Sequence, residues 1–146
     1  MTGERMDAIE TTEFLEAQYT GVLAMGRDNI GYGIPISYTY DTAGPYIYFR
    51  LAYAGSSQKR KFIEAADSVA FVVYAETEGG WKSVVAEGAI EERSETDFEA
   101  RRIEAVRRLD IPYFTVHDRP ADDLEFVIAR IDVSNLTGVV EGGSDR

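Results

Sequence analysis

Apolar residues recur along this chain with two periods, one typical of strands and one typical of helices. The strand pattern occurs six times, over residues 22–25, 32–40, 46–51, 68–75, 81–90 and 124–133. Turn-forming residues at 28–29, 41–44 and 78–80 separate neighbouring runs. Short strands joined by tight turns predict antiparallel pairing. Pro35 lies inside the second run, which indicates an edge strand or a bulge.

Helical signals lie between and around these runs. Thr11 or Thr12 is expected to cap a short helix. A second helix is predicted over residues 61–66, and Ser94 with Asp97 resembles a capping box that opens a third. The loop 111–121 carries two prolines and His117, which is expected to be an exposed loop residue and not a catalytic base.

The pattern predicts a mainly β, or α+β, fold: a small six-stranded antiparallel barrel with flanking helices. At 146 residues the chain is long enough for one domain with a hydrophobic core. We expect this domain to span residues 10–140, between a flexible N-terminus at 1–9 and a flexible C-terminus at 141–146.

Composition excludes several classes of function. The chain has 26 acidic and 15 basic residues and a formal net charge of −11, which disfavours nucleic acid and anionic membranes as partners. It has no cysteine and one histidine, which excludes thiol catalysis and a multi-histidine metal site. With no signal-peptide pattern and no apolar run of about 20 residues, a cytoplasmic location is the default. Abundant acid with little lysine suggests the hypothesis of a salt-adapted source.

A short basic run at residues 55–61 stands out in this acidic chain. It contains Ser57, Gln58 and Lys59, and it connects a predicted strand to a predicted helix. Free N–H groups and cations at the start of a helix suit a phosphate, because the helix dipole favours an anion there. The alternative is a solvated basic turn, which the run alone favours.

Four stretches occur in an order that resembles one known family. They are residues 35–38 on a strand, 49–50 at the end of the next, 57–59 at a helix start and 81–84 opening a later strand. This order is similar to that of the pyridoxamine 5′-phosphate oxidase-like proteins, the FMN-binding split barrels. Within them, it most resembles the subgroup that includes nitroimidazole-resistance-type flavoproteins.

The resemblance implies a flavin site. Lys59 would pair with the FMN phosphate, assisted by Arg50 and Ser57, while the strand from Pro35 would donate backbone hydrogen bonds to the ring edge. Ser83 would provide a polar flavin contact, with Trp81 packing nearby, although Trp81 alone is more often a core or interface aromatic. The full set implied for the cofactor is Pro35, Ile36, Ser37, Tyr38, Phe49, Arg50, Ser57, Gln58, Lys59, Trp81, Ser83 and Val84.

Relatives of this kind place the site at a homodimer interface, so Ser83 and Trp81 would serve the partner's flavin. The resemblance therefore implies a homodimeric FMN-dependent oxidoreductase acting on an unidentified small molecule, with the redox chemistry carried by the flavin. Two alternatives stay open: a deazaflavin- or nicotinamide-dependent protein of the same fold, and a non-catalytic protein that stores or senses flavin. Gln58 stands where the oxidase has arginine, and Arg50 where nitroimidazole-type relatives have histidine.

Overall fold

The computed structural model describes residues 3–53, 68–93 and 125–142, and their side chains over 3–51, 68–92 and 128–142. The predicted phosphate-binding run, the helix expected after Ser94 and the loop with His117 lie outside these residues. The described elements are β1 (Glu4–Arg5), α1 (Ala8–Ala17), β2 (Thr20–Arg27), β3 (Ile30–Ser37), β4 (Thr39–Asp41), β5 (Tyr46–Tyr53), β6 (Val69–Thr77), β7 (Gly80–Arg93) and β8 (Glu125–Glu141).

All pairings between the described strands are antiparallel, and the sheet runs in the order β3-β2-β6-β7-β8-β5-β4, with β1 added to β8. Strands β3 and β4 lie at opposite ends of this order, yet Tyr38 alone separates them in sequence. The sheet must therefore curve until its two edges meet. β3 approaches β5 without pairing with it, so the sheet stays open along one side. This is the predicted split barrel.

The described strands number eight, where the sequence predicted six. One predicted strand, 32–40, is divided at Tyr38, whose amide donates to the carbonyl of Tyr19 (3.0 Å). The other addition is β1, which pairs with β8 through Glu4 and Arg5. The segment expected to be flexible, 1–9, thus carries regular structure from Glu4 onward.

The helix cap predicted at Thr11 or Thr12 is wrong. Asp7 is the N-cap of α1, and its carboxylate accepts a 2.8 Å hydrogen bond from the amide of Glu10. Thr11 lies one turn inside the helix, where its hydroxyl donates to the carbonyl of Asp7 (2.8 Å). The helix therefore begins earlier and buries Phe14 and Leu15 against the barrel.

Strand β8 continues eight residues past the predicted end at Val133. A β-bulge makes this possible: Glu87 opposes Asn135 while Gly88 opposes Val133, which leaves Ser134 as the extra residue. At Gly88 the backbone of β8 is so close that a Cβ would overlap the carbonyl of Asp132. Only glycine fits there.

The core fills the inside of the barrel. Its fully buried residues alternate with outward-facing ones, as the period-two pattern predicts; they include Leu23, Phe49, Phe71, Val84 and Ile131. β3 is an edge strand, which confirms the expectation from Pro35. The turn at Asp28 and Asn29 has positive φ at both residues (50° and 65°), the geometry that suits a two-residue hairpin.

The described residues contain neither a membrane-spanning helix nor a cluster of metal-binding side chains. None of their helices is both long and apolar enough to cross a membrane. Within the same ranges, no three His, Cys, Asp or Glu side chains come together as a group that could hold a metal ion.

Candidate functional site

The implied site residues are divided between the two faces of the sheet. Ile36, Tyr38, Phe49 and Val84 point into the barrel, and the last three are at most 2% exposed. Their side chains are therefore core packing, and only their backbone can reach a ligand outside. The residues that face outward are Pro35, Ser37, Arg50, Trp81 and Ser83.

The open edge of β3 presents backbone groups. The bond from the Tyr38 amide to Tyr19 makes Tyr38 and Tyr19 a hydrogen-bonded pair of the β2–β3 ladder. Hydrogen-bonded and non-hydrogen-bonded pairs alternate along an antiparallel ladder. The peptide groups of Ile36 therefore point towards β2, whereas those of Pro35 and Ser37 point away from β2. Proline at position 35 therefore costs the ladder no hydrogen bond. Ser37 supplies an N–H where Pro35 has none.

Arg50 lies beside this edge. Thr39 opposes Tyr48 in the β4–β5 pair, so the same register carried back two residues puts Ser37 level with Arg50. Ser37 is buried and Arg50 is half-buried. Pro35, Ser37 and Arg50 together form what we call the edge cluster. It combines outward peptide groups, a hydroxyl and a guanidinium, which are donors that suit carbonyl oxygens and phosphates.

Trp81 and Ser83 lie elsewhere on the outer face. A row of cross-strand neighbours on the outer face leads from Pro35 on β3 to β7. The row continues through Val22, Val72 and Val85. Pro35 is therefore three strand spacings, or about 14 Å, away from β7, measured across the strands. The structure thus brings the first two predicted stretches together and separates them from the fourth within one chain.

A further aromatic residue stands beside Ser83, and the sequence analysis missed it. Tyr74 opposes Ser83 directly in the β6–β7 hairpin and is 63% exposed, while Trp81 is 39% exposed. The turn consists of residues 78–79 alone, with Thr77 opposite Gly80, whereas the turn expected at 78–80 would have set Tyr74 opposite Val84. Tyr74, Trp81 and Ser83 form the aromatic face. Exposed aromatic side chains grouped around a hydroxyl are typical of surfaces that bind a partner or a planar ligand.

A permanent cation lies on the outer side of β8. Arg130 donates to Glu91 (Nε to Oε2, 2.7 Å), and its guanidinium carbon lies 4.2 Å from the ring centroid of Tyr46. Burial alone would lower the pKa of Arg130, but hydrogen bonds with Glu91 and Tyr48 raise the pKa above its ordinary value. The pair links β7 to β8, and the charge of the guanidinium is balanced by the carboxylate of Glu91.

The family model described as pyridoxamine 5′-phosphate oxidase matches residues 7–140. The chain belongs to this family. A comparison with curated proteins gives no match, and no comparison supports the hypothesis of a salt-adapted source. The family match extends through α1, strands β2 to β7 and nearly all of β8, and leaves out β1.

Solved structures share the fold. A FAD-binding protein from Mesorhizobium loti is 24% identical, with a TM-score of 0.69 over 97% of this chain and 100% of that one. The FAD-binding protein of Mycobacterium smegmatis is 17% identical, with a TM-score of 0.65 over 96% and 100%. A protein described as a candidate 5-nitroimidazole antibiotic resistance protein from Bacteroides thetaiotaomicron is 14% identical, with a TM-score of 0.64 over 95% and 87%. These three structures thus share the split-barrel fold of this chain at low sequence identity.

Proposed function

We propose that this chain binds a flavin nucleotide at the edge cluster and works as a homodimeric oxidoreductase. The observation that carries the proposal is that Ser37, at the end of the edge strand β3, lies level with Arg50 of β5 when the β4–β5 register is extended by two residues, although β3 and β5 do not pair. Membership of the pyridoxamine 5′-phosphate oxidase family, and relatives named as FAD-binding, support a flavin in particular.

The donor set fits a flavin. The guanidinium of Arg50 suits a phosphate, and the backbone at Ser37, on the side away from β2, would lie beside the ring. Residues 57–59 follow β5 in the chain, and they are the sequence-predicted phosphate grip. When bound, the flavin would supply the capacity to accept and donate a hydride or electrons. The protein's own residues would bind, orient and exclude water.

A dimer supplies the rest of the site. The edge cluster and the aromatic face are about 14 Å apart along one sheet, too far to surround a single ring edge. A two-fold arrangement that lays the aromatic face of one chain over the edge cluster of another would enclose the ring between Trp81 and Ser37. Tyr74 and Val85 would be covered by the same contact, which would remove exposed apolar surface from water.

FMN is the cofactor that the basic run favours, because one phosphate accounts for Ser57, Lys59 and Arg50 together. FAD is a second candidate, since two of the similar structures are named as FAD-binding proteins. Titrating the purified full chain with FMN, FAD and riboflavin, with fluorescence quenching as the readout, distinguishes them. The proposal predicts one flavin per chain and weaker binding of riboflavin; failure of all three to bind would refute it.

Catalysis is a separate part of the proposal. Reduction of the bound flavin by NADH or NADPH, seen as bleaching of its visible absorption, supports the oxidoreductase. A flavin that binds stoichiometrically but accepts no electrons from either donor would favour the storage or sensing alternative. A protein that carries only a short-wavelength absorption band would favour deazaflavin.

A further inference from the structure

A cavity lies on the other side of the strand β4, away from the edge cluster. Its volume is about 370 Å³, and its lining includes Arg5, Thr12, Tyr40 and Leu136. Tyr40 points into the barrel from the middle of β4, whereas Ser37 points out. Cavities of this volume are within the range that small ligands occupy.

The split of the barrel produces this cavity. The pairing of β5 with β8 ends at Asp132, and the pairing of β1 with β8 begins at Val139. Between these two points the edge of β8 pairs with no described strand other than β7. The chain just before α1 bridges the gap, with the amide of Met6 donating to the carbonyl of Gly138 (2.9 Å). The cavity is the part of the gap that α1 does not fill.

The free edge of β8 aims backbone groups into this space. Because Gly138 bonds to Met6, its peptide groups point away from β7. Leu136 lies two residues earlier, so its N–H and C=O point the same way, where no described strand accepts them. Polar backbone groups of this kind need a partner, which is either water or a ligand.

The side chains around the cavity add one charge and several hydroxyls. Arg5 is exposed at the rim, and no carboxylate of residues 3–53, 68–93 and 125–142 pairs with it. Thr12 and Tyr40 contribute hydroxyls to the lining. Of the neighbouring acids, Asp7 caps α1 and Glu10 pairs with Lys82 at 3.2 Å. Burial raises the pKa of the Tyr40 phenol, and the nearby carboxylates of Glu16 and Asp41 raise it further. Met6 and Leu136 supply apolar walls.

We propose that this cavity is a binding site for a small organic acid, with the carboxylate at Arg5 and the Leu136 N–H and the apolar body against Met6 and Leu136. The guanidinium of Arg5 and the N–H of Leu136 are donors that suit an acceptor headgroup. The site is independent of the flavin proposal, because none of its lining residues belongs to the edge cluster or the aromatic face.

Amide chemical-shift mapping of the full-length chain tests this site, with hexanoate as the probe and hexan-1-ol and hexylammonium as size-matched controls. We expect hexanoate to shift the amides of Met6, Thr12, Leu136 and Gly138 and to bind more tightly than either control. Arg5→Gln should weaken the binding of hexanoate about 3- to 10-fold and leave the affinity for hexan-1-ol unchanged. Arg27→Gln, which removes an arginine from the distant β2–β3 turn, is the matched control and should change neither.

Three outcomes would overturn the proposal. The first is the absence of any localised shift with hexanoate at millimolar concentration. The second is equal affinity for hexanoate and hexan-1-ol, which would mean that no carboxylate is recognised. The third is an equal loss of hexanoate affinity in the Arg5→Gln and Arg27→Gln proteins, which would mean that only the overall charge of the protein matters.

Discussion

The hydroxyl of Tyr38 donates a 2.6 Å hydrogen bond to the carbonyl oxygen of Leu15, a residue 23 positions earlier. Leu15 lies in the last turn of α1, where helix carbonyls lack partners within the helix. The ring of Tyr38 packs edge-on against Phe71, with 5.2 Å between centroids. One side chain therefore ties the helix, the junction of the two sheet edges and the barrel core together.

Removing this hydroxyl should destabilise the fold. Tyr38→Phe keeps the ring but leaves the carbonyl of Leu15 without its buried donor, which costs about 1–3 kcal/mol. Urea unfolding followed by circular dichroism measures the loss. Tyr19→Phe is the matched control, because Tyr19 is 76% exposed, and it should change stability by less than about 0.5 kcal/mol. Equal effects of the two substitutions would show that the bond contributes nothing specific.

The same residue makes stability sensitive to alkaline pH. Burial raises the pKa of the Tyr38 phenol well above its ordinary value of 10.0. Above about pH 10 the unfolded state releases this proton, while the folded state keeps it. The contribution of Tyr38 to the unfolding free energy is therefore complete below about pH 10 and is lost as the pH rises further. The unfolding free energy of the wild type should fall more steeply between pH 10 and 11 than that of Tyr38→Phe. Parallel profiles would contradict this.

Gly88 should tolerate no side chain. Gly88→Ala forces a methyl group against the backbone of Asp132 at the β7–β8 bulge, and backbone moves less readily than a side chain. We expect a loss of about 2–3 kcal/mol in unfolding free energy. Gly31→Ala on β3 is the control, because a Cβ there meets nothing within 4 Å. A near-neutral Gly88→Ala would mean that the bulge is not as tight as described.

Local signals made the hairpins and the strand faces predictable. Asp28-Asn29 identified a turn, and Pro35 identified an edge strand, because each constrains backbone geometry at its own position. The cap was missed although Asp7 is followed three residues later by Glu10, which is a capping pattern; Thr11 drew attention because it lies beside the first large apolar residues.

Features that depend on distant partners were not predictable. The alternation of Ile36, Tyr38 and Tyr40 continues unbroken through the point where the chain leaves one sheet edge and joins the other. Beyond Val133, the bulge at Ser134 shifts the phase, so the period no longer identifies the rest of β8. Composition and the order of the four stretches were enough to indicate where the proposed flavin site lies in the sequence. Only the strand register of the structure shows that Ser37 faces outward and Phe49 faces inward.

Lys59 lies outside the described residues and remains a prediction from sequence. If it pairs with the flavin phosphate, Lys59→Ala should weaken FMN about 10- to 150-fold, since a hydrogen bond to a charged group contributes about 1.5–3 kcal/mol. Riboflavin, which lacks the phosphate, should bind almost as well as it does to the wild type. Equal losses for FMN and riboflavin would show that Lys59 acts through folding.

Mixed dimers test most directly whether one flavin is held by Arg50 of one chain and Ser83 of another. Arg50→Glu and Ser83→Trp should each abolish FMN binding in their own homodimers, because every shared site then contains one defect. Co-expression of both chains should restore about a quarter of the wild-type FMN sites, since about half of the dimers are mixed and each has one intact site. If mixed dimers form but no FMN binding returns, or if Ser83→Trp alone binds FMN normally, the shared site is wrong.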